Sequence, residues 1–121
     1  MKKKFDFQKL EVYQKALRFV VLAAEIVEAL PQGNAYLADE LLRSSTSIAL
    51  NIAEGAGEFS PREKARFYRM AKRSATESAG LPDVLTCRCL APEELLDRGL
   101  DILFEIVSML TRMVQNRRSG K

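Results

Sequence analysis

Four stretches of apolar residues that recur three or four positions apart, separated by short clusters of proline, glycine and polar turn formers, constrain this chain more than any other feature of its sequence. That spacing gathers apolar side chains on one face of an α-helix, and no segment sustains the period-two alternation of a strand. In the first stretch Leu10, Tyr13, Leu17, Val20, Ala24 and Val27 form one seam, and Val12, Ala16, Phe19, Ala23, Ile26 and Leu30 form a second beside it. A helix at the rim of a small bundle needs a single stripe, so the doubled seam predicts burial against its own bundle and against something further. Pro31, Gln32, Gly33 and Asn34 end this helix, with Asn34 as the N-cap of the next.

The second stretch carries Leu37, Leu41, Ser45, Ile48 and Ile52 on one side. Its middle, Ser44, Ser45, Thr46 and Ser47, has low helix propensity, but such small side chains allow a neighbouring helix to approach closely. Gly55 and Gly57 offer the left-handed position that commonly ends a helix. Ser60, Pro61 and Glu63 then combine a capping serine, a proline at the first helical position and a glutamate three residues after the cap, a capping box that starts the third helix. Gly80 and Pro82 fall inside that helix and predict a kink. Pro92, Glu93 and Glu94 open the fourth helix, with a seam of Leu96, Leu100, Leu103, Val107, Leu110 and Val114, and the polar, basic tail from Gln115 to Lys121 is expected to fray. The expectation is an all-α, antiparallel up-and-down four-helix bundle, one domain over residues 1–121 with helices over about 7–30, 35–56, 61–90 and 92–115.

Composition removes much of ordinary enzymology. Among 121 residues there is no histidine, which excludes Ser-His-Asp and Cys-His active sites, His-ligated zinc and a ferritin-like di-metal centre. Cys87 and Cys89 point about 200° apart if helical, a poor geometry for a disulfide, and the pair offers too few ligands for structural zinc. No metal or cofactor is expected, and the cysteines read as reduced residues of a reducing cytosol. The basic N-terminus lacks the apolar segment of a secretory signal, and the longest nearly uncharged apolar run, over residues 19–24, is far shorter than a membrane span. A soluble cytoplasmic protein with no membrane partner is expected.

The net charge of +3 is a sum of larger regional terms. Residues 59–73 hold six basic side chains against Glu63, a balance of +5, whereas residues 22–58 balance to −5 and residues 83–105 to −4. Lys2, Lys3 and Lys4 add positive charge at one end, and Arg112, Arg117, Arg118 and Lys121 at the other. On a helix Arg62, Arg66, Arg69 and Arg73 fall within about 60° of one another, opposite Phe67, Ala71, Ala75 and Ser78. Such a stripe, with Lys72 beside it, suits a row of phosphates, because guanidinium groups bind them through paired, charge-assisted hydrogen bonds. With no exposed aromatic platform expected beside it, contact with the RNA or DNA backbone is the natural form of this reading.

Asn51 and Glu54, one turn apart and flanking Ile52, are the other polar residues that stand out. Glu54 as a general base lacks a partner carboxylate nearby in sequence, so a structural role, with both residues bonding to a neighbouring helix or the following turn, is expected instead.

At these residues the chain resembles a known family. Ser47, Ile48, Asn51, Ile52, Ala53, Glu54 and Gly55, followed by Ser60, Phe67, Ala71, Ser74 and Glu77, look like the signature of small four-helix-bundle proteins encoded in intervening sequences of bacterial 23S ribosomal RNA genes. Phe7, Leu10, Val12, Tyr13, Gln14 and Ala16 are similar to that family's first helix. The resemblance assigns Ser47, Asn51, Glu54, Gly55 and Ser60 to the structural motif and brings no catalytic residue. The accessory variability determinant of diversity-generating retroelements belongs to the same family, and likeness to it implies a basic homopentamer that associates with a reverse transcriptase and nucleic acid. Glu58 departs from the pattern, where relatives often carry a basic residue, as does Pro82. The combined expectation is a non-enzymatic homo-oligomer, pentameric by that likeness, that binds nucleic acid or a nucleic-acid enzyme; the alternative is a protein-interaction adaptor with no affinity for nucleic acid.

Overall fold

The structure, a computed structural model, describes residues 4–118, with side chains through residue 116. A 3-10 turn over Asp6–Lys9 precedes α1 (Glu11–Ala29), α2 (Ala35–Ala56), α3 (Pro61–Cys87) and α4 (Glu93–Arg118), and the described residues contain no strand. Each helix packs on the one before and after it, and α4 closes on α1. Cross-contacts give the directions: Ser44 meets Ser78 while Ser47 meets Ser74, and Lys15 meets Glu105 while Phe19 lies near Gly99. Both pairings run in opposite senses along the two helices, as in the predicted antiparallel four-helix bundle.

The helix ends refine the sequence reading. The first helix begins at Glu11 instead of residue 7, because the preceding residues close a 3-10 turn in which the Phe5 N–H donates to Gln8 Oε1 at 2.7 Å. Asn34 stands at the N-cap of α2, yet its Nδ2 donates to the Pro31 carbonyl at 2.9 Å, so its side chain fastens the turn and caps no helical N–H. Ser60 Oγ accepts from the Glu63 N–H at 3.3 Å as predicted, but the Glu63 carboxylate turns to Arg66 at 3.1 Å and leaves the capping box half formed. Gly57 is right-handed at φ −83°, so α2 ends without the expected left-handed residue; Lys64 Nζ donates instead to the terminal carbonyls of Gly55 and Ala56, at 3.3 and 2.9 Å. The last helix continues through Arg118, past the Gln115 where fraying was expected.

Helix α3 passes through Gly80 and a buried Pro82 unbroken and stops at Cys87, short of residue 90. Its stop is a Schellman motif, in which the Cys89 N–H bonds the Thr86 carbonyl at 3.1 Å and the Leu90 N–H bonds the Leu85 carbonyl at 2.9 Å. That geometry puts Cys89 at φ 54°, in the region that favours glycine. A side chain there costs about 1–2 kcal/mol, part of which glycine returns through its freer unfolded state. Cys89→Gly is therefore expected to raise stability by about 1 kcal/mol, read as a higher urea midpoint with unchanged slope; an unchanged or lower midpoint contradicts it.

Of the two seams on α1, one is core: Val12, Ala16, Phe19, Ala23 and Ile26 are all buried. The other flanks it, with Tyr13, Val20 and Val27 half-buried and Leu17 exposed. Helix α3 faces the core with Ala65, Tyr68, Ala71, Ala75 and Ser78, and not with Phe67 as its large residue: Tyr68 is 2% exposed while Phe67 is only half-buried. The narrow alanine and serine face lets α3 sit close to α2. Gly55 lies against the Tyr68 ring, where an added Cβ would be 2.7 Å from Cε1.

Candidate nucleic-acid interface

Because α3 turns its small residues inward, its other side is left to the basic ones. Arg62, Arg66, Arg69 and Arg73 are all exposed and Lys72 is half-buried. Helical rise spreads the four arginines over about 16 Å. Arg66, Arg69, Lys72 and Arg73, with Met70 and Thr76, line a concavity of about 720 Å³. Arg66 is partly engaged, paired with Glu63 and lying over the Phe67 ring at 4.4 Å, so an acid does intrude beside the stripe. An exposed pair one turn apart contributes ~0–1 kcal/mol, too little to hold Arg66 from a phosphate. Arg62, Arg69, Lys72 and Arg73 have no ion pair among the described residues.

Other basic residues are not part of this face. Lys64 is committed to the end of α2, and Arg112 lines a separate concavity between α1 and α4 with Lys15, Glu105 and Phe104. Lys4 is exposed; Lys2, Lys3 and Lys121 lie outside the described residues, as do the side chains of Arg117 and Arg118. One aromatic group does accompany the stripe, contrary to the sequence expectation: Phe59, three residues before Arg62, is 99% exposed in the α2–α3 turn. Its turn position gave no periodic signal from which exposure was legible.

The family-motif residues resolve into four kinds. Gly55 is a steric contact and Ser60 a cap. Ser47 and Asn51 belong to a polar seam between α2 and α3, in which Ser47 Oγ meets Ser74 Oγ at 2.9 Å and Asn51 Nδ2 donates to the Ser47 carbonyl and Oγ at 2.9 and 3.1 Å. One step along, Ser44 and Ser78 share a buried bond of 2.7 Å. Glu54 does not make the expected bonds: two positions past the buried Ile52, about 200° round the helix, it is exposed and has no hydrogen-bond or ion-pair partner among the described residues. Asn51 likewise bonds its own helix and not the neighbouring one.

Arg43, which sequence reading passed over, bridges Glu40 at 2.9 Å and Glu77 at 2.6 Å. A hydrogen bond shared with the Glu40 carboxyl, aided by partial burial, raises Glu77 above the usual carboxylate value; the same contact, then Arg43, lowers Glu40. The spacing of 34 residues between Arg43 and Glu77 hides this bridge from any local pattern. Among the described residues no group of three or more Cys, Asp or Glu is arranged to hold a metal ion, and no helix is long and apolar enough to cross a membrane.

Comparison with known proteins adds two findings. The sequence profile of the family described as 23S rRNA-intervening sequence protein matches residues 8–112. Among solved structures, a protein of unknown function from the S23 ribosomal protein family of Bacteroides thetaiotaomicron is similar with a TM-score of 0.78 and 23% identity, covering 85% of this chain and 97% of that one. At that identity the likeness is one of fold. No curated protein sequence matches the chain.

Proposed function

The chain belongs to the 23S rRNA-intervening sequence protein family, and from the charge it displays we propose that it is a non-enzymatic, homo-oligomeric nucleic-acid-binding protein of the cytoplasm. The observation that carries this reading is the line of arginines on α3, three of which, Arg62, Arg69 and Arg73, are exposed without a counter-ion among the described residues. Guanidinium groups free of internal partners have their full hydrogen-bonding capacity left for phosphate oxygens. Contact of this kind grips the backbone and reads no base sequence.

The test is equilibrium binding of mixed-sequence RNA and DNA over a salt series. Release of counterions from about four phosphate contacts gives a log–log slope near −3 to −4. A protein-interaction adaptor shows neither affinity nor slope, and that outcome overturns the proposal.

Assembly rests on separate features. Leu17 and Val21 leave an apolar strip on α1, and Leu100, Leu103, Phe104 and Val107 with Ala79 line an apolar groove between α3 and α4. Two different apolar patches on one subunit suit a head-to-tail ring, and five is the number of subunits that the family resemblance implies. Light scattering is expected to give several times the 13.6 kDa of one chain, and a monodisperse monomer contradicts the assembly.

A further inference from the structure

The polar seam between α2 and α3 opens to the surface beside the arginine stripe. Ser47, Asn51, Met70, Arg73, Ser74 and Glu77 line a concavity of about 390 Å³, and Met70 and Arg73 line the arginine concavity as well. Its hydrogen-bonding capacity is only partly spent internally. Because the Ser47 carbonyl can only accept, the Asn51 amide must turn its NH₂ toward it, which leaves Asn51 Oδ1 as the outward acceptor; that oxygen has no partner among the described residues. The two amide hydrogens and two hydroxyl hydrogens of Asn51, Ser47 and Ser74 meet three internal bonds, two accepted by Ser47 and one between the serines. Whichever serine donates to the other, one O–H is left over. The cleft therefore offers one free acceptor and one free donor a few ångströms apart on half-buried side chains, the complement of a hydroxyl group. A guanidinium stands on the same wall, so the hydroxyl it fits is one adjoining a phosphate. Glu77 is the one carboxylate there, and its charge is tied to Arg43 at 2.6 Å.

Resting on the nucleic-acid reading above, we propose that this cleft receives the 2′-hydroxyl of a ribose whose phosphate is held by Arg73, and that the protein thereby prefers RNA to DNA. The hydroxyl donates to Asn51 Oδ1 and accepts from the free serine O–H. The 2′-hydroxyl is the group by which a protein distinguishes the two polymers at a given site.

The experiment compares a short labelled RNA, the DNA of the same sequence and the RNA carrying 2′-O-methyl groups, at one salt concentration and over a salt series. RNA is expected to bind about tenfold tighter than DNA, with the methylated strand close to DNA and all salt slopes alike. Asn51→Ala and the double variant Ser47→Ala/Ser74→Ala, which removes both hydroxyls, are each expected to lower RNA affinity toward that of DNA and to leave DNA affinity unchanged. If either variant loses helicity, the other and the methylated strand decide. Equal affinity for RNA and DNA overturns this inference alone, as does an RNA preference that survives in both variants. Absence of salt-dependent binding to either polymer overturns the nucleic-acid reading with it.

Discussion

Replacing Arg62, Arg66, Arg69 and Arg73 together with glutamate is expected to abolish salt-dependent binding of RNA and DNA while far-UV circular dichroism keeps its helical amplitude. Each exchange changes the local charge by two, so the +5 of residues 59–73 becomes −3 and attraction to phosphate becomes repulsion. With about four counterions released on binding, the intact face loses about 100-fold in affinity between 50 and 200 mM salt, and the reversed face is expected to lose more than that even at low salt. The fold has little reason to suffer, because all four side chains are exposed and an acid at residue 62 lies in the first turn of α3, where the helix dipole favours it. Single alanine variants are expected to rank by how free each arginine is. Arg69→Ala and Arg73→Ala cost more than Arg66→Ala, which gives up a side chain already shared with Glu63. Binding unchanged in the fourfold variant removes the stripe from consideration.

The second large effect is on stability. Gly55→Ala is expected to destabilise the protein by about 2 kcal/mol, although alanine is better than glycine in a helix interior by ~1 kcal/mol. The new Cβ would sit 2.7 and 2.9 Å from the Tyr68 ring and 3.1 Å from Phe67 Cβ, closer than such contacts occur, and Tyr68 at 2% exposure has nowhere to go. Either α2 and α3 separate, loosening the serine bonds along the same seam, or the ring leaves its rotamer. Gly80→Ala is the control. It is the same chemical change in the same kind of backbone, but no atom lies within 4 Å, so only the propensity gain remains and a stabilisation of up to ~1 kcal/mol is expected. Chemical denaturation of the pair checks the argument. Equal stability of the two variants would show that the Gly55 contact is not tight.

The bundle was legible because proline, glycine and the three-to-four spacing are local signals, and each predicted helix is found within a few residues. What was not legible depends on partners distant in sequence. Phe67 and Tyr68 are adjacent aromatic residues about 100° apart on the helix, and nothing local tells which one faces the core; Gly55, distant in sequence, is what the Tyr68 ring lies against. Lys64 counts as surface charge until α2 ends beside it and its ammonium meets the last carbonyls, and Gly57 reads as a left-handed cap although the helix closes with it right-handed. The four arginines of the candidate face were identified by period alone. The hydroxyl-binding cleft beside them required knowing that Ser47 and Ser74, 27 residues apart, meet.

The Lys15–Glu105 bridge joins residues 90 apart, whereas the serine pairs between α2 and α3 span 27 and 34. Chain entropy charges longer closures more, by about 0.6 kcal/mol per doubling, so the α1–α4 seam stands about 1 kcal/mol behind the α2–α3 seam before any contact is counted. Connectivity thus favours the central hairpin. The half of the molecule that carries both the arginine stripe and the cleft is brought together at lower entropic cost than the α1–α4 seam that completes the bundle.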